Sequence, residues 1–145
     1  MSGRAGLQTL ADKTAAALTS RGITSVTLNW RGTLFEGDSH LPAWDAQEVG
    51  GYEGHVGPMA IDAGRTAPGA YAFHEDAPGY VAQVFAKALT SSGVAVKLGK
   101  DGEAPTGGET LASVSSATMG EQLRWMLAHS DNTLADQYCL SLIHI

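Results

Sequence analysis

The sequence predicts an α+β chain. Three observations carry that reading: an amphipathic helix that stops at a glycine and leads into a β-branched strand, a second copy of the same arrangement, and two more helices behind a Gly-rich connection.

The first helix is expected over residues 7–21, where Leu7, Leu10, Ala11, Thr14, Ala15 and Leu18 recur at the three- and four-residue spacing of one buried face, and Gly22 supplies the stop. Ile23, Val26 and Leu28 then read as a strand, which Thr33-Leu34-Phe35 extends or pairs with. Residues 36–70 lack a helical period and contain Pro42, Pro58 and Pro68, so loops with short strands are expected there. A second helix is expected from about residue 78 to 92, with Pro78 in its first turn and Val81, Val84, Phe85, Ala88 and Leu89 on one face. Gly93 ends it, and Val94 and Val96 continue as a strand. Residues 17–23 and 88–94 are nearly alike, but repeat architectures need about three or more copies, so the likeness reads as one helix stop used twice. The polar, Gly-rich stretch 100–109 is the candidate boundary. After it Leu111, Ala112 and Val114 predict a strand, and residues 119–128 a helix with Leu123, Met126 and Leu127 inward. A last helix starts near Asn132.

Composition narrows the function classes. A length of 145 residues suits one ordinary domain or pieces of two, and 43% hydrophobic with 17% charged residues excludes disorder throughout. Nine Lys and Arg against fifteen Asp and Glu give a net charge of -6, and the cations are scattered from Arg4 to Arg124, which argues against a nucleic-acid partner. The apolar runs fall far short of the roughly 20 residues of a membrane span, and the opening Met-Ser-Gly-Arg-Ala-Gly has no signal-peptide character. Cys139, alone, excludes an internal disulfide and a cysteine-based zinc site.

One segment has a mechanistic reading. Ser130-Asp131-Asn132 is among the three marks of penicillin-binding proteins and serine β-lactamases, beside Ser-x-x-Lys and Lys-Thr-Gly. In a non-helical link between two helices, side chains two residues apart can project into one cleft, whereas inside a helix they diverge. There the Ser130 hydroxyl can relay a proton and the Asn132 amide can hold a substrate carbonyl, with Asp131 pointing elsewhere. The same residue types are also the preferred caps of a helix N-terminus, and the tripeptide alone does not decide between the two.

The longer stretch from Met126 and Leu127 through Ser130-Asp131-Asn132 to Ala135-Asp136 resembles the D-alanyl-D-alanine carboxypeptidase/endopeptidase family, the class C penicillin-binding proteins. So do residues 10–18 with the following Gly-Ile strand, Leu34-Phe35, Trp44, Gly57-Pro58, Asp62-x-Gly64-Arg65 and Leu111-Ala112-Ser113-Val114-x-Ser116, above all in its actinobacterial members. The resemblance implies a transpeptidase-like α+β fold, with accessory domains inserted into the catalytic domain. Residues 1–108 are then expected to belong to those inserts and 109–139 to the catalytic domain. It also implies an acyl-enzyme peptidase of peptidoglycan stem peptides ending in D-Ala-D-Ala, inhibited by β-lactams, working without a cofactor outside the cytoplasm. Ser130 would pass the proton to the leaving amine and Asn132 would orient the substrate amide.

Two of the family's marks are missing. No serine has a lysine three positions later, and the Lys-Thr pair, Lys13-Thr14, continues with Ala15 inside a predicted helix ahead of Ser130, so Lys13 is rejected as catalytic. Arg31-Gly32 also stands where the family carries acidic residues. The expectation is an internal piece that starts after the nucleophile and stops before the last mark. Residues 140–145 read as a translated transposase mosaic-end sequence, a non-native tail, against the alternative of an apolar helix end. The rival functions are a non-catalytic α/β interaction module with Ser130 and Asn132 as a helix cap, and a relative that binds peptidoglycan without cleaving it.

The other candidates read as structural. His40, His55, His74, His129 and His144 lack metal-ligand spacing and read as surface residues. His74-Glu75-Asp76 reads as a polar turn with Asp76 at the positive end of the second helix. Gly51-x-x-Gly54-x-x-Gly57 reads as a plain turn, Trp30, Trp44 and Trp125 as core or contact residues, and Cys139 as a packing residue.

Overall fold

The computed structural model describes residues 6–35, 37–40, 42–46, 50–103 and 105–142. Its elements are α1 (Leu7–Thr19), β1 (Ser25–Trp30), α2 (Pro42–Ala46), α3 (Ala77–Ser91), β2 (Ala95–Asp101), α4 (Met119–His129) and α5 (Asn132–Leu142), with short 3-10 turns at Gly50–Tyr52 and Asp62–Gly64. This is the mixed helix and sheet composition expected of an α+β chain. Two compact units divide it: Met1–Trp30 with Ala82–Gln122, and Arg31–Val81 with Leu123–Ile145. No described helix is long and apolar enough to cross a membrane.

The first unit has an apolar core. Ala11, Ala15 and Leu18 of α1 lie one turn apart and are buried together with Leu89 and Val94, while Val26, Phe85, Ala88, Val96 and Leu111 pack against them. Small residues on α1 keep the helix surface flat, and Leu89 supplies the bulk that fills the space. Both helices that line this core stop in one way. Gly22 and Gly93 adopt φ of 71° and 95°. Ile23 N–H donates to Leu18 O at 3.0 Å and Gly22 N–H to Thr19 O at 2.9 Å; Val94 N–H donates to Leu89 O at 3.2 Å and Gly93 N–H to Thr90 O at 3.0 Å. The likeness of 17–23 and 88–94 is therefore the signature of a Schellman stop made twice.

β1 and β2 pair in parallel, Val26 opposite Val96 and Leu28 opposite Leu98, with the crossover that parallel strands require passing through α3. The register shifts after Leu28, so that Asn29 alone faces both Gly99 and Lys100. A bulge of this kind leaves an extra backbone group unpaired. Asn29 satisfies it: its Oδ1 accepts the Lys100 N–H at 3.0 Å. A Cβ at Gly99 would overlap that same oxygen, which explains a glycine inside the strand.

Two expected strands are not formed. Thr33-Leu34-Phe35 is irregular: the ladder closes where Gly102 N–H donates to Trp30 O at 2.9 Å, so no partner edge continues beside it. Residues 111–114 lie against the α1 core instead of a strand, with Leu111 packed on it and Lys13 Nζ donating to Ser113 O at 3.3 Å. The short strands expected in 36–70 are replaced by α2, the two 3-10 turns and one isolated antiparallel bridge between Arg65 and Phe73.

The second unit is organised differently. Val56, Ala77 and Val81 are buried in it, but so are Glu53 (1% exposed), Asp131 (4%) and Thr133 (1%). Buried polar groups hold a structure together only when partnered, so this unit depends on specific hydrogen bonds. α3 starts here on Asp76, whose Oδ1 accepts the Gly79 N–H at 2.8 Å, as expected of an acidic residue at the positive helix end. The inward face expected on α4 is not covered: Leu127 is 76% and Leu123 37% exposed, and no α4 residue is fully buried. Of the tail, Leu140 to Leu142 continue α5, and residues 143–145 lie outside the described residues.

Gly99→Ala is expected to destabilise the chain by about 1–3 kcal/mol in denaturant titration, because the new methyl must displace the Asn29 amide. Gly102→Ala, with nothing within 4 Å of its Cβ position, is the control and should fall well below that.

Candidate active site

The Ser130-Asp131-Asn132 link begins in the two-residue break between α4 and α5. α4 begins on a capping box: Thr118 N–H donates to Glu121 Oε2 at 2.9 Å, and Glu121 N–H donates back to Thr118 Oγ1 at 3.4 Å. It ends in the same kind of turn as α1 and α3. Ser130 is left-handed with φ 50°, and Asp131 N–H donates back to Met126 O at 3.2 Å. Asp131 then caps α5 at once: its Oδ1 accepts the Leu134 N–H at 2.9 Å and its carbonyl accepts the Ala135 N–H at 3.1 Å. One residue ends the first helix and starts the second.

The cap is therefore Asp131, not Ser130 or Asn132, which corrects the capping reading of those two residues. Ser130 is exposed and Asn132 half-buried, and neither side chain hydrogen-bonds another described residue. Asp131 does point elsewhere, into the interior. Its second oxygen, Oδ2, accepts from Arg65 Nη1 at 3.2 Å, with the side chains 2% and 20% exposed respectively.

Arg65 reaches this point from an unusual turn. Asp62, Ala63 and Gly64 have φ of 51°, 53° and 81°, three left-handed residues in succession. Arg65 bridges to Phe73 and its guanidinium lies 5.2 Å from the centre of that ring. The Phe73 ring packs so closely on Gly54 that a Cβ there would overlap it. Gly54 N–H in turn donates to Thr133 Oγ1 at 2.8 Å, and Gln137 Nε2 donates to Gly57 O at 3.0 Å. Gly54 and Gly57 are thus close-approach positions, Gly54 under the Phe73 ring and Gly57 against Pro78, while their backbone groups bond α5, and the plain-turn reading of that glycine pattern holds only for Gly51, in the 3-10 turn.

Glu53 joins the same segment with both carboxylate oxygens buried and without a hydrogen-bond partner of good geometry. Burial, and after it the neighbouring Asp136 carboxyl, pushes Glu53 up to about 8. Arg65, Thr133 and Glu53 were not legible as site residues; the signal that could have raised them is their proximity to motif residues, which a one-dimensional reading lacks. Cys139 is exposed, against the packing expectation. It lies six residues beyond Thr133, off the helix face that Thr133 and Gln137 turn toward segment 53–57. His129 stacks on Trp125 with ring centres 4.3 Å apart, and the His40 and His55 rings meet at a tilt with centres 5.2 Å apart. His40, His55 and His74 are half-buried, and not on the surface as expected: the His40 and His55 rings lie against each other and Tyr80 stacks on His74. His144 lies outside the described residues.

The Glu53 proton has a signed consequence. The folded chain retains it while the unfolded chain releases it from about pH 4.3 upward, so stability falls as pH rises toward about 8 and levels off above. Glu53→Gln should remove this slope: its melting temperature should match wild type near pH 4 and exceed it increasingly up to about pH 8.

The family model of the D-Ala-D-Ala carboxypeptidase 3 (S13) family matches residues 70–143, half of the chain, including α3, α4, α5 and the Ser130-Asp131-Asn132 link. Carboxypeptidase DacB of Mycolicibacterium smegmatis (strain ATCC 700084 / mc(2)155) is 32% identical over 139 residues, which cover 92% of this chain and 28% of that protein. The chain thus spans little more than a quarter of the length of that relative. No solved structure matches. With the helix–Ser-Asp-Asn–helix link inside the matched region, the chain belongs to the D-Ala-D-Ala carboxypeptidase 3 (S13) family.

Proposed function

We propose that this chain is the Ser-Asp-Asn portion of a serine-type D-Ala-D-Ala carboxypeptidase or endopeptidase acting on peptidoglycan stem peptides outside the cytoplasm. In this reading residues 1–108 belong mostly to accessory inserts and 109–139 to the catalytic domain. The observation that carries it is the residue chosen for the left-handed position of the link. α1 and α3 end on Gly22 and Gly93, for which positive φ costs nothing, whereas α4 ends on Ser130, whose Cβ makes the same conformation strained by about 1–2 kcal/mol. A strained, exposed hydroxyl that bonds no other described residue is available to act on something else.

The chemistry follows from the side chains. A serine hydroxyl both donates and accepts, so Ser130 can take a proton on one side and pass one to a departing amine on the other. The Asn132 amide, one residue beyond the buried Asp131, presents both a donor and an acceptor to a substrate amide. The attack itself needs a nucleophile with its base, and no serine here has a lysine three positions on. The acyl-enzyme is therefore assigned to a serine outside these residues, as is the group that β-lactams acylate. Proton relay and positioning assist acyl transfer but do not replace its nucleophile, so the 145-residue chain alone is inactive.

Two outcomes test this reading. The isolated chain should take up no fluorescent penicillin; stoichiometric covalent labelling would overturn the assignment of the nucleophile to another segment. In the complete protein that contains this chain, Ser130→Gly should raise stability by about 1 kcal/mol by relieving the left-handed strain, and lower D-Ala release by about 100-fold or more. Activity unchanged in the glycine variant would return Ser130 to a purely structural role.

A further inference from the structure

We propose that Arg65 is a positioning residue for the Ser130/Asn132 pair: through Asp131 it holds the backbone from which both side chains project. The proposal rests on the reading of Ser130 and Asn132 given above, and assigns the control of that site to a residue 66 positions away in the sequence.

The argument starts from the geometry of the link. Only Asp131 separates Ser130 from Asn132, and Asp131 has no freedom left: its N–H is bound to Met126 O, its Oδ1 to Leu134 N–H and its carbonyl to Ala135 N–H. Oδ2 is the remaining acceptor, and Arg65 takes it at 3.2 Å in a place where the carboxylate is almost wholly buried. A buried carboxylate that loses its cation is strongly disfavoured, and the least costly response is for the side chain to swing toward water. That movement withdraws Oδ1 from Leu134 and releases the cap. Ser130 is left-handed where Asp131 N–H bonds back to Met126 O, so a backbone shift of Asp131 that follows the loss of its cap lets Ser130 relax to an ordinary φ and redirects its hydroxyl.

Arg65 is itself braced for this task. Its backbone is bridged to Phe73, its guanidinium stacks over the Phe73 ring, and that ring seats on Gly54, whose N–H returns to Thr133 two residues past Asp131. The contacts close a ring from Asp131 through Arg65, Phe73 and Gly54 to Thr133. The turn that delivers Arg65 holds two non-glycine residues, Asp62 and Ala63, left-handed, a strain that a merely solvated arginine would not need.

The test uses the complete protein containing this chain, with a β-lactam as probe so that binding and acylation are read separately. Arg65→Met should slow acylation by roughly 10- to 100-fold while the dissociation constant of the initial β-lactam complex changes by less than about 3-fold, as misplacement of an assisting group predicts. Arg65→Lys, which keeps the charge, should recover part of the rate, and this second variant serves if the methionine variant does not fold. Asp131→Asn keeps the cap acceptor but not the charge, and the double variant Arg65→Met/Asp131→Asn should acylate no more slowly than the worse single variant. Arg65→Met with a lowered melting temperature but an unchanged acylation rate, or independent multiplication of the two single effects, would overturn the proposal. Ser130→Gly separates the two levels: if it abolishes acylation while Arg65→Met does not, only the positioning role falls, and if neither variant matters the underlying reading of the site falls as well.

Discussion

The buried Asp131 carboxylate is the interaction on which the site depends. Removing such a group from water costs several kcal/mol unless its oxygens are partnered, and here the α5 N-terminus occupies one and Arg65 the other. Each partner thereby determines where the other must be. The start of α5, the end of α4 and the turn that carries Arg65 are held to a common point, and Thr133 and Gln137 extend the same seating along α5 to segment 53–57. None of this depends on a large apolar core, which matches the polar character of what is buried in that unit.

Within the three-residue motif, labour is divided by direction. Asp131 faces inward and is bonded through its side chain, N–H and carbonyl, while Ser130 and Asn132 have no side-chain bond to another described residue. Groups that carry structural bonds cannot be moved without cost, whereas groups with unspent hydrogen-bonding capacity remain available to a ligand. Alternating the two kinds along the chain places a rigid anchor between two available side chains. The left-handed φ of Ser130 makes this possible in so short a space, since it lets one helix stop and the next begin within two residues.

The two units differ in what makes them stable. In the first, Ala11, Ala15, Leu18, Leu89 and Val94 exclude water by shape, and the pair of glycine stops lets each helix turn directly into its strand. In the second, Glu53, Asp131 and Thr133 are buried, and burial together with the Asp136 carboxyl favours the protonated form of Glu53. An apolar core tolerates conservative exchange, whereas a polar one is sensitive to the loss of a single partner. The Arg65–Asp131 pair is such a polar arrangement, directly behind the Ser130-Asp131-Asn132 link.

Local information determined the helices and their ends. Three- and four-residue periodicity predicted α1, α3 and α4, glycine at positions 22 and 93 predicted their stops, and Ser130-Asp131-Asn132 predicted a non-helical link, because spacing and left-handed preference are properties of neighbouring residues. Partnership was decided by the tertiary structure. The stripe of Leu123 and Leu127 is real as a helical period yet stays exposed, residues 111–114 have a strand's pattern but no strand beside them, and Cys139 lies on an uncovered face. Most telling is Asp131, whose place in a cap-forming tripeptide was readable, while its cation was not: nothing in the order of residues announces that Arg65 folds back onto it. A period says which side chains share a face, and only the folded chain supplies what that face meets.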